Sequence, residues 1–294
     1  MSITTGDFRS KVTASSLLEK KQRHEVITCL TAYDYPSARL IDEAGIDMIL
    51  VGDSLGMVML GYENTLPVTV PEMLHHVRAV RRGVKHAFLI ADMPYASFHV
   101  GVRDTLRNAV RFIKDGGAEA VKVEGGEKRA RLVERLVDAE IPVVGHIGLT
   151  PQSLHAMGGY KVQGKTLSAV EQLMRDAIAL QHAGACSIVL EGIPREVAAM
   201  ITHELEIPTI GIGAGPECDG QVLVFHDLLG LTFAPAAKFV RRYADLGSAI
   251  TNAVLAYKDD VKSGTFPTEA ESYHLPRDTQ SALSEIAERK HALR

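Results

Sequence analysis

Short apolar runs alternate along the chain with segments of helical periodicity. The runs are too short for helices and too continuously apolar for half-exposed strands, a pattern typical of parallel strands that are covered on both faces. In the segments between them, apolar residues recur three and four positions apart, and glycine or proline ends each segment. The runs that predict strands are residues 26–30, 48–51, 88–90, 120–123, 142–144, 186–190 and 209–212.

Repeated strand–helix units predict an α/β protein with the architecture of a single-domain (β/α)8 TIM barrel. Closing the barrel takes an eighth strand, which we place near residues 229–233, where the apolar pattern is weak. An extra N-terminal helix at residues 15–24 is expected to cover the bottom of the barrel. We assign residues 1–270 to the barrel and residues 271–294 to a C-terminal extension. No GxGxxG sequence follows the first strand, which disfavours a dinucleotide-binding sheet.

Composition and charge exclude several classes of protein. The chain is 46% hydrophobic and 23% charged, as globular proteins are, and its net charge of −4 lacks the positive footprint of a nucleic-acid binder. No apolar stretch approaches the ~18 residues of a membrane span, and the first residues lack the apolar core of a signal peptide. Three widely spaced cysteines predict reduced thiols, so we expect a cytoplasmic protein.

Acidic residues directly follow four of the predicted strands. A single Asp in such a place is more often a helix cap or a turn residue than a functional group. Four acids in the same place favour a function, because a barrel gathers the C-terminal ends of its strands at one rim, where active sites are built. The four residues are Asp53, Asp92, Glu124 and Glu191.

Three of these acids come from adjacent strands and predict a metal site. Asp53, Asp92 and Glu124 should converge, and carboxylates left alone together raise each other's pKa. A divalent cation removes that conflict, and an oxygen-only ligand set suits Mg²⁺ better than Zn²⁺. Such a cation keeps positions open for substrate, for example the keto and carboxylate oxygens of a 2-oxo acid.

Other features allow more than one interpretation. Lys122 should also point into the barrel, either as part of a structural ion pair or as a cation for a substrate carboxylate. For His146 a satisfied core histidine is the leading interpretation, ahead of a ligand or an acid–base group. The glycine-rich residues 211–215 suit either a phosphate, which nearby acids disfavour, or close approach of the backbone to a flat ligand. The long connection 148–166 is expected to be functional or disordered.

Several long motifs resemble the ketopantoate hydroxymethyltransferase family. They lie in order over about residues 10–274, which makes the set specific. The motifs are TAYDY at 31–35, VGDSLG at 51–56, LPVT at 66–69, VKVEGG at 121–126, GHIGLTPQS at 145–153, GGYKVQG at 158–164, IGIGAG at 210–215, DGQ at 219–221 and FP at 266–267.

The resemblance implies a barrel enzyme that transfers a hydroxymethyl group from 5,10-methylenetetrahydrofolate to 3-methyl-2-oxobutanoate. The products would be 2-dehydropantoate, also called ketopantoate, and tetrahydrofolate, in the first step of pantothenate and hence coenzyme A biosynthesis. The resemblance also implies Mg²⁺ as the metal, and a homo-oligomer, most often a decamer.

The same resemblance implies a role for each candidate residue. Asp53 and Asp92 would bind the metal directly, and Glu124 would be its acidic partner, directly or through water. Ser54 and Lys122, together with the two aspartates, would hold the 2-oxo acid. Glu191 would be the catalytic base that removes the C3 proton, giving an enolate that the metal stabilises.

The residues leave two alternatives. One is another Mg²⁺-dependent barrel enzyme of 2-oxo acid chemistry, similar to phosphoenolpyruvate mutase or isocitrate lyase; the nucleophilic cysteine motif of the lyases is absent. The other is a non-catalytic oligomeric barrel that binds an acid metabolite, which the intact acidic set disfavours. Turnover of 3-methyl-2-oxobutanoate with formaldehyde and tetrahydrofolate discriminates between them.

Overall fold

A computed structural model of the chain describes residues 9–280 and Leu283. The chain divides into two compact units, here called unit 1 (Met1–Ala244) and unit 2 (Asp245–Arg294). The division between residues 270 and 271 that we infer from the sequence stays a prediction. Apart from Leu283, residues 281–294 of the proposed C-terminal extension lie outside the described residues.

Eight parallel strands of unit 1 form a closed barrel. Each strand pairs with the next one along the chain, and the last strand pairs with the first, with Ile27 opposite Gly220. This topology confirms the predicted (β/α)8 TIM barrel. The strands are β1 (Ile27–Thr31), β2 (Met48–Val51), β3 (Phe88–Asp92), β4 (Ala120–Glu124), β5 (Val143–Gly148), β6 (Ser187–Glu191), β7 (Thr209–Ile212) and β8 (Gly220–Leu223).

Helices of unit 1 connect most of the strands. Several of them begin at side-chain caps: Thr69, for example, accepts a hydrogen bond from the backbone N–H of Glu72, and the Glu72 carboxylate accepts one from the N–H of Thr69. The helices are α1 (Ala14–Gln22), α2 (Tyr35–Glu43), α3 (Leu55–Val58), α4 (Val70–Gly83), α5 (Val102–Lys114), α6 (Ala130–Val137), α7 (Leu154–Met157), α8 (Leu167–His182), α9 (Arg195–Glu204) and α10 (Phe225–Leu228), with 3-10 turns at Glu127–Arg129 and Pro151–Ser153.

Unit 2 contains helix α11 (Leu246–Ser263) and a 3-10 turn at Glu269–Glu271. Asp245 caps the start of α11 by accepting a hydrogen bond from the N–H of Ser248, and Gly264 ends the helix in the left-handed conformation. Across residues 9–280, none of the helices combines the length and the apolar character that crossing a membrane requires.

Alternate residues of the strands divide between two apolar layers. Leu50 and Ile90 belong to the smaller layer inside the barrel. Ile49 and Leu89 belong to the larger layer between the strands and the helices. Strands β2, β3, β4 and β5 are buried throughout their length. Coverage on both faces explains why these segments are continuously apolar in the sequence.

Helix α1 covers the bottom of the barrel, as predicted. Leu17 is fully buried and belongs to the apolar layer inside the barrel; truncating such a leucine to alanine typically costs ~2–5 kcal/mol. Two lysines of α1 pair with acids that precede strands: Lys20 lies 2.5 Å from Asp47, and Lys21 lies 2.8 Å from Asp219. The helix is thereby anchored where the strands begin.

The eighth strand lies earlier in the chain than we predict from the sequence. Strand β8 is Gly220–Leu223, whereas residues 229–233 follow the short helix α10. The connection from β7 to β8 spans only residues 213–219 and contains no helix, so the expected alternation fails there. Strand β8 also starts with glycine and carries an exposed Gln221, and it therefore lacks the apolar run of the other strands.

Candidate active site

The C-terminal ends of β2 to β6 bring the predicted site residues together. Asp92 and Glu124 are the last residues of β3 and β4, and Asp53 follows β2 by two positions. Strand register places Asp92 beside Lys122 and Glu124 beside His146. The residues gathered at this rim are Asp53, Ser54, Asp92, Lys122, Glu124, His146 and Glu191.

Gln152 connects three of the strand ends. Its side-chain Nε2 donates to Asp53 Oδ2 at 2.8 Å and to the carbonyl oxygen of Met93 at 2.9 Å. Its backbone N–H donates to Glu124 Oε2 at 3.0 Å. Our sequence analysis gave Gln152 no role, because a glutamine in a loop carries no signal until its partners are known. Its place within the GHIGLTPQS motif was the signal that could have found it.

Ser54 stands at the start of helix α3 and is held by a tyrosine. Its Oγ lies 2.8 Å from the hydroxyl of Tyr33, which is buried and whose pKa burial raises. Gly52 makes room for this arrangement, because a Cβ there would lie 2.8 Å from Ser54 Oγ and 3.4 Å from Asp92 Oδ2. Tyr33 is thus a neutral hydrogen-bond partner that fixes the serine hydroxyl at the edge of the site.

Lys122 is a buried cation among carboxylates. Its Nζ lies 3.1 Å from Asp92 Oδ1. Burial alone lowers the pKa of Lys122, but the charges of Asp92, Glu124 and Asp53 outweigh burial and raise that pKa above its ordinary value. The ion pair that we considered from the sequence is therefore present. Lys122 also lines the cavity described below, so its ammonium can contact an anion that enters that cavity.

The carboxylates carry more negative charge than Lys122 balances. Burial raises the pKa of Asp53 well above its usual range, and the charges of Asp92 and Glu124 raise it further. Burial also raises the pKa of Asp92, although Lys122 lowers it. Burial acts on Glu124 in the same direction, but its contact with His146 and the charge of Lys122 leave its pKa lowered. A second cation would relieve this crowding.

The donor set fits Mg²⁺ only as an open site. No group of three or more His, Cys, Asp or Glu side chains in residues 9–280 is arranged to hold a metal ion by itself. Mg²⁺, however, commonly binds through one or two carboxylates and keeps water or substrate oxygens. Asp53 and Asp92 suit this role, because both are buried and burial raises the pKa of each carboxyl, a cost that a bound cation offsets. Metal binding by Asp53, Asp92 and Glu124 stays a prediction.

His146 is buried, as a core histidine would be, but it lies between Lys122 and two carboxylates. Its Nδ1 lies 3.1 Å from Lys122 Nζ and 3.4 Å from Glu124 Oε1, and its Nε2 lies 3.2 Å from Glu191 Oε2. Burial and Lys122 lower the pKa of His146, but contacts with Glu124 and Glu191 outweigh them and raise it to about 9. The two ring nitrogens thus face different groups: Nδ1 lies beside Lys122 and Glu124, and Nε2 lies beside Glu191.

A cavity of about 880 Å³ opens onto these residues, within the range of small-molecule sites. Its wall has two different halves. The half formed by β2 to β6, here called the polar half, contains the four carboxylates, Lys122 and His146. Apolar residues such as Leu50, Val189 and Ile193 also line it. The half formed by β7, β8 and the chain after them is mostly apolar. The apolar residues of this second half are Ile212, Val222, Val224, Pro235, Ala237 and Phe239.

Two connections contribute to the cavity wall. The segment 148–166 contains a 3-10 turn and helix α7, and it places Pro151 and Tyr160 on the wall. In the glycine-rich connection after β7, Gly213 has a φ of 63°, and a Cβ there would lie 2.6 Å from the ring of Phe239. The close approach in the structure is thus to Phe239 of the same chain, and approach of this backbone to a flat ligand stays a prediction. Asp219, which ends the same connection, contacts Lys21 and Thr209 at the bottom of the barrel.

Comparison of the sequence with known families agrees with this geometry. A model of the ketopantoate hydroxymethyltransferase family matches residues 11–269. A protein of Koribacter versatilis (strain Ellin345) named 3-methyl-2-oxobutanoate hydroxymethyltransferase is 74% identical over 294 residues, which cover 100% of both chains. A protein of the same name from Pelobacter propionicus is 56% identical over 268 residues, which cover 91% of this chain and 99% of that one.

Solved structures of similar fold are more distant. A phosphonopyruvate hydrolase in complex with oxalate and Mg²⁺ has a TM-score of 0.58 at 14% identity, covering 96% of this chain and 98% of its own. A 2,3-dimethylmalate lyase, a member of the phosphoenolpyruvate mutase/isocitrate lyase superfamily, has a TM-score of 0.57 at 18% identity, covering 95% and 96%. At these identities the likeness supports the barrel fold alone.

The family therefore follows from the sequence match, and the barrel fold from both comparisons. The matched region contains all seven rim residues described above, and the similar Koribacter chain spans the same full length. The chain is an enzyme and belongs to the ketopantoate hydroxymethyltransferase family.

Proposed function

We propose that this enzyme transfers a hydroxymethyl group from 5,10-methylenetetrahydrofolate to 3-methyl-2-oxobutanoate. The products are 2-dehydropantoate and tetrahydrofolate, and the reaction begins pantothenate biosynthesis. One observation carries the proposal: a single cavity wall presents the Lys122 cation, the Asp53–Asp92 pair and, on another strand, the carboxylate of Glu191. This is the set that carbanion chemistry next to a keto acid requires. The names of the close relatives support the same substrate.

The 2-oxo acid is held by its two polar groups. Lys122 offers a charge to the substrate carboxylate, and the Ser54 hydroxyl, fixed by Tyr33, offers a hydrogen bond. Asp53 and Asp92 would hold Mg²⁺ beside the bound keto acid. A bound Mg²⁺ would act as a Lewis acid on the keto oxygen and lower the cost of charge that develops there.

Glu191 removes the proton from C3 of the bound keto acid. It lies on β6, away from Asp53 and Asp92, and is less buried than they are, with 16% of its side chain exposed toward the cavity. His146 Nε2 lies 3.2 Å from Glu191 Oε2, and this contact holds the carboxylate at the cavity wall. A positioned carboxylate of this kind is the usual general base for a carbon acid next to a carbonyl group.

The carbon–carbon bond then forms between C3 and the methylene carbon of the folate. Overall, one water supplies the hydroxyl oxygen of the product, and tetrahydrofolate leaves with the methylene carbon replaced by protons. The connection 148–166 carries Tyr160 over the polar residues, and closure of this segment would keep other water out of the site.

The wild-type enzyme is expected to exchange the C3 proton of 3-methyl-2-oxobutanoate with deuterated water when Mg²⁺ is present and folate is absent. Deprotonation precedes carbon–carbon bond formation in the proposed reaction, and it therefore needs no folate. NMR follows the loss of the C3 proton signal, and a second assay with 5,10-methylenetetrahydrofolate follows 2-dehydropantoate. Absence of both reactions would overturn the proposed function, while exchange of protons without transfer would favour another enolate-forming enzyme.

We further propose that the enzyme works as a cytoplasmic homo-oligomer, a decamer by family resemblance. Light scattering of the full chain at micromolar concentration is expected to give about ten times the 31.9 kDa of one chain. Dilution to nanomolar concentration should separate a tight assembly from a transient one, because only the latter dissociates. A stable monomer at micromolar concentration would contradict the proposal, and a dimer or pentamer would correct the count.

A further inference from the structure

The cavity is much larger than a five-carbon keto acid needs. The polar half of its wall offers partners for the keto acid, whereas the half after β7 and β8 is unused by the chemistry above. Glu191 pairs in register with Ile212, so the proposed base stands at the border between the two halves. The apolar half is therefore available to a second substrate that meets C3 of the keto acid.

Asp227 is the one carboxylate among the described residues that line this apolar half. It follows β8 in helix α10 and is half-buried. The Thr232 hydroxyl donates a hydrogen bond to Asp227 Oδ1 at 2.5 Å, which fixes the direction of the carboxylate. Each carboxylate oxygen has two acceptor sites, so the bond from Thr232 leaves both oxygens able to accept from a ligand.

The apolar surroundings of Asp227 fit a flat heterocycle. Pro235 and the ring of Phe239 line the same half, and Phe239 rests directly on the backbone of Gly213. A reduced pterin has apolar faces and one edge with two adjacent N–H donors, the ring N3–H and the 2-amino group. Such a paired donor edge matches the two oxygens of a carboxylate, as a guanidinium does.

Lys238 supplies the opposite charge in this half of the cavity. It is exposed and is the one cation among the described residues that line the apolar half. The aminobenzoyl-glutamate tail of a folate carries carboxylates at the end remote from the pterin. A half-buried acid and an exposed lysine therefore complement the chemistry of the two ends of a folate.

The geometry points to Asp227 as the residue that receives the donor edge of the pterin, with Lys238 contacting the glutamate tail. This assignment rests on the proposed function, because it takes the one-carbon donor to be a folate. It makes Asp227 and Lys238 binding residues for the second substrate, whereas the Lys122 and Glu191 side of the cavity serves the keto acid.

Asp227→Asn tests the assignment, since an amide cannot accept from both donors of the pterin edge. We expect kcat/KM for 5,10-methylenetetrahydrofolate to fall roughly 10- to 100-fold, as for lost hydrogen bonds to a charged group. Tetrahydrofolate affinity, measured by calorimetry, should fall in parallel. Folate-free exchange of the C3 proton should stay within about twofold of wild type, which also shows that the variant folds. The exposed Asp138→Asn is the matched control and should change none of these values.

Lys238→Ala separates the two ends of the ligand. We expect it to raise KM for the folate by about two- to fivefold, the effect of an exposed ion pair. With a tail-free donor, 5,10-methylene-6-methyltetrahydropterin, Lys238→Ala should have no effect, whereas Asp227→Asn should remain defective.

Several outcomes would overturn the assignment without touching the proposed function. One is transfer of the one-carbon group by Asp227→Asn at the wild-type rate. Another is loss of C3 exchange in Asp227→Asn as large as its loss of transfer, which would place Asp227 at the keto acid. A third is an effect of Lys238→Ala on the tail-free donor as large as its effect on the folate. In contrast, wild-type protein that neither exchanges nor transfers would overturn the proposed function itself.

Discussion

Glu191→Gln is expected to slow exchange of the C3 proton by ~10²–10⁴-fold, the usual effect of losing a general base. Glutamine keeps the size of the side chain, and its amide oxygen can still accept from the N–H of His146, 3.2 Å away in the wild type. It cannot take up a proton from carbon. NMR in deuterated water with saturating Mg²⁺ and 3-methyl-2-oxobutanoate measures the rate without any folate.

Binding of the keto acid by Glu191→Gln should be close to that of the wild type, because Lys122 and the two aspartates are unchanged. Calorimetry with Mg²⁺ present measures it, and the exposed Glu127→Gln serves as the matched control for the substitution. If the variant exchanged the C3 proton at the wild-type rate, another group would have to be the base. His146 would be the next candidate, because it lines the same cavity.

Asp53→Asn and Asp92→Asn are each expected to lower the Mg²⁺-dependent exchange rate by at least ~100-fold, since even outer-sphere partners of metals commonly cost 10–100-fold. An amide is a far weaker Mg²⁺ ligand than a carboxylate. Both variants should fold, because burial already disfavours the charged forms of these two aspartates. An asparagine at position 92 can still accept the hydrogen bond from the backbone N–H of Asp53.

Two measurements separate metal binding from general damage at these positions. The Mg²⁺ concentration for half-maximal exchange should rise in each variant, and calorimetric Mg²⁺ binding in the presence of the keto acid should weaken. Thermal unfolding should stay near that of the wild type. The exposed Asp138→Asn is the control and should match the wild type in all three. Unchanged Mg²⁺ affinity and unchanged exchange in both variants would remove these residues from the metal site.

The acidic residues at the rim could be found from the sequence because of a simple geometric rule. Each follows an apolar strand, and a barrel places all such positions at one end. The structure indeed brings Asp53, Asp92 and Glu124 together with Lys122. The sequence could not show which of these groups pair with one another, because the pairing depends on atoms of different strands that lie ~3 Å apart.

His146 and Gln152 show where sequence analysis stopped. A histidine within an apolar strand has the same local pattern whether it is a core residue or lies against carboxylates. Only strand register decides that it faces Glu124, Lys122 and Glu191. Gln152 contacts Asp53 across a separation of 99 residues, which no local pattern reports.

The apolar half of the cavity could not be predicted from the sequence either, because it also depends on contacts between distant segments. Strand β8 is too short and too polar to be recognised locally, and our sequence analysis placed it about ten residues too late. Asp227 therefore fell within no predicted strand end and carried no signal. Closure of the barrel between β8 and β1 is what sets this residue on the cavity wall.

The sequence by itself determined the barrel class, the helix over its bottom and the acidic rim. These features depend on burial and spacing, which repeat within a few residues and are written in the order of apolar and polar side chains. The tertiary structure alone decided where the last strand lies, which groups neutralise one another and which surfaces share a cavity. Those outcomes depend on contacts between distant segments, whose geometry is fixed only when β8 pairs with β1 and the barrel closes.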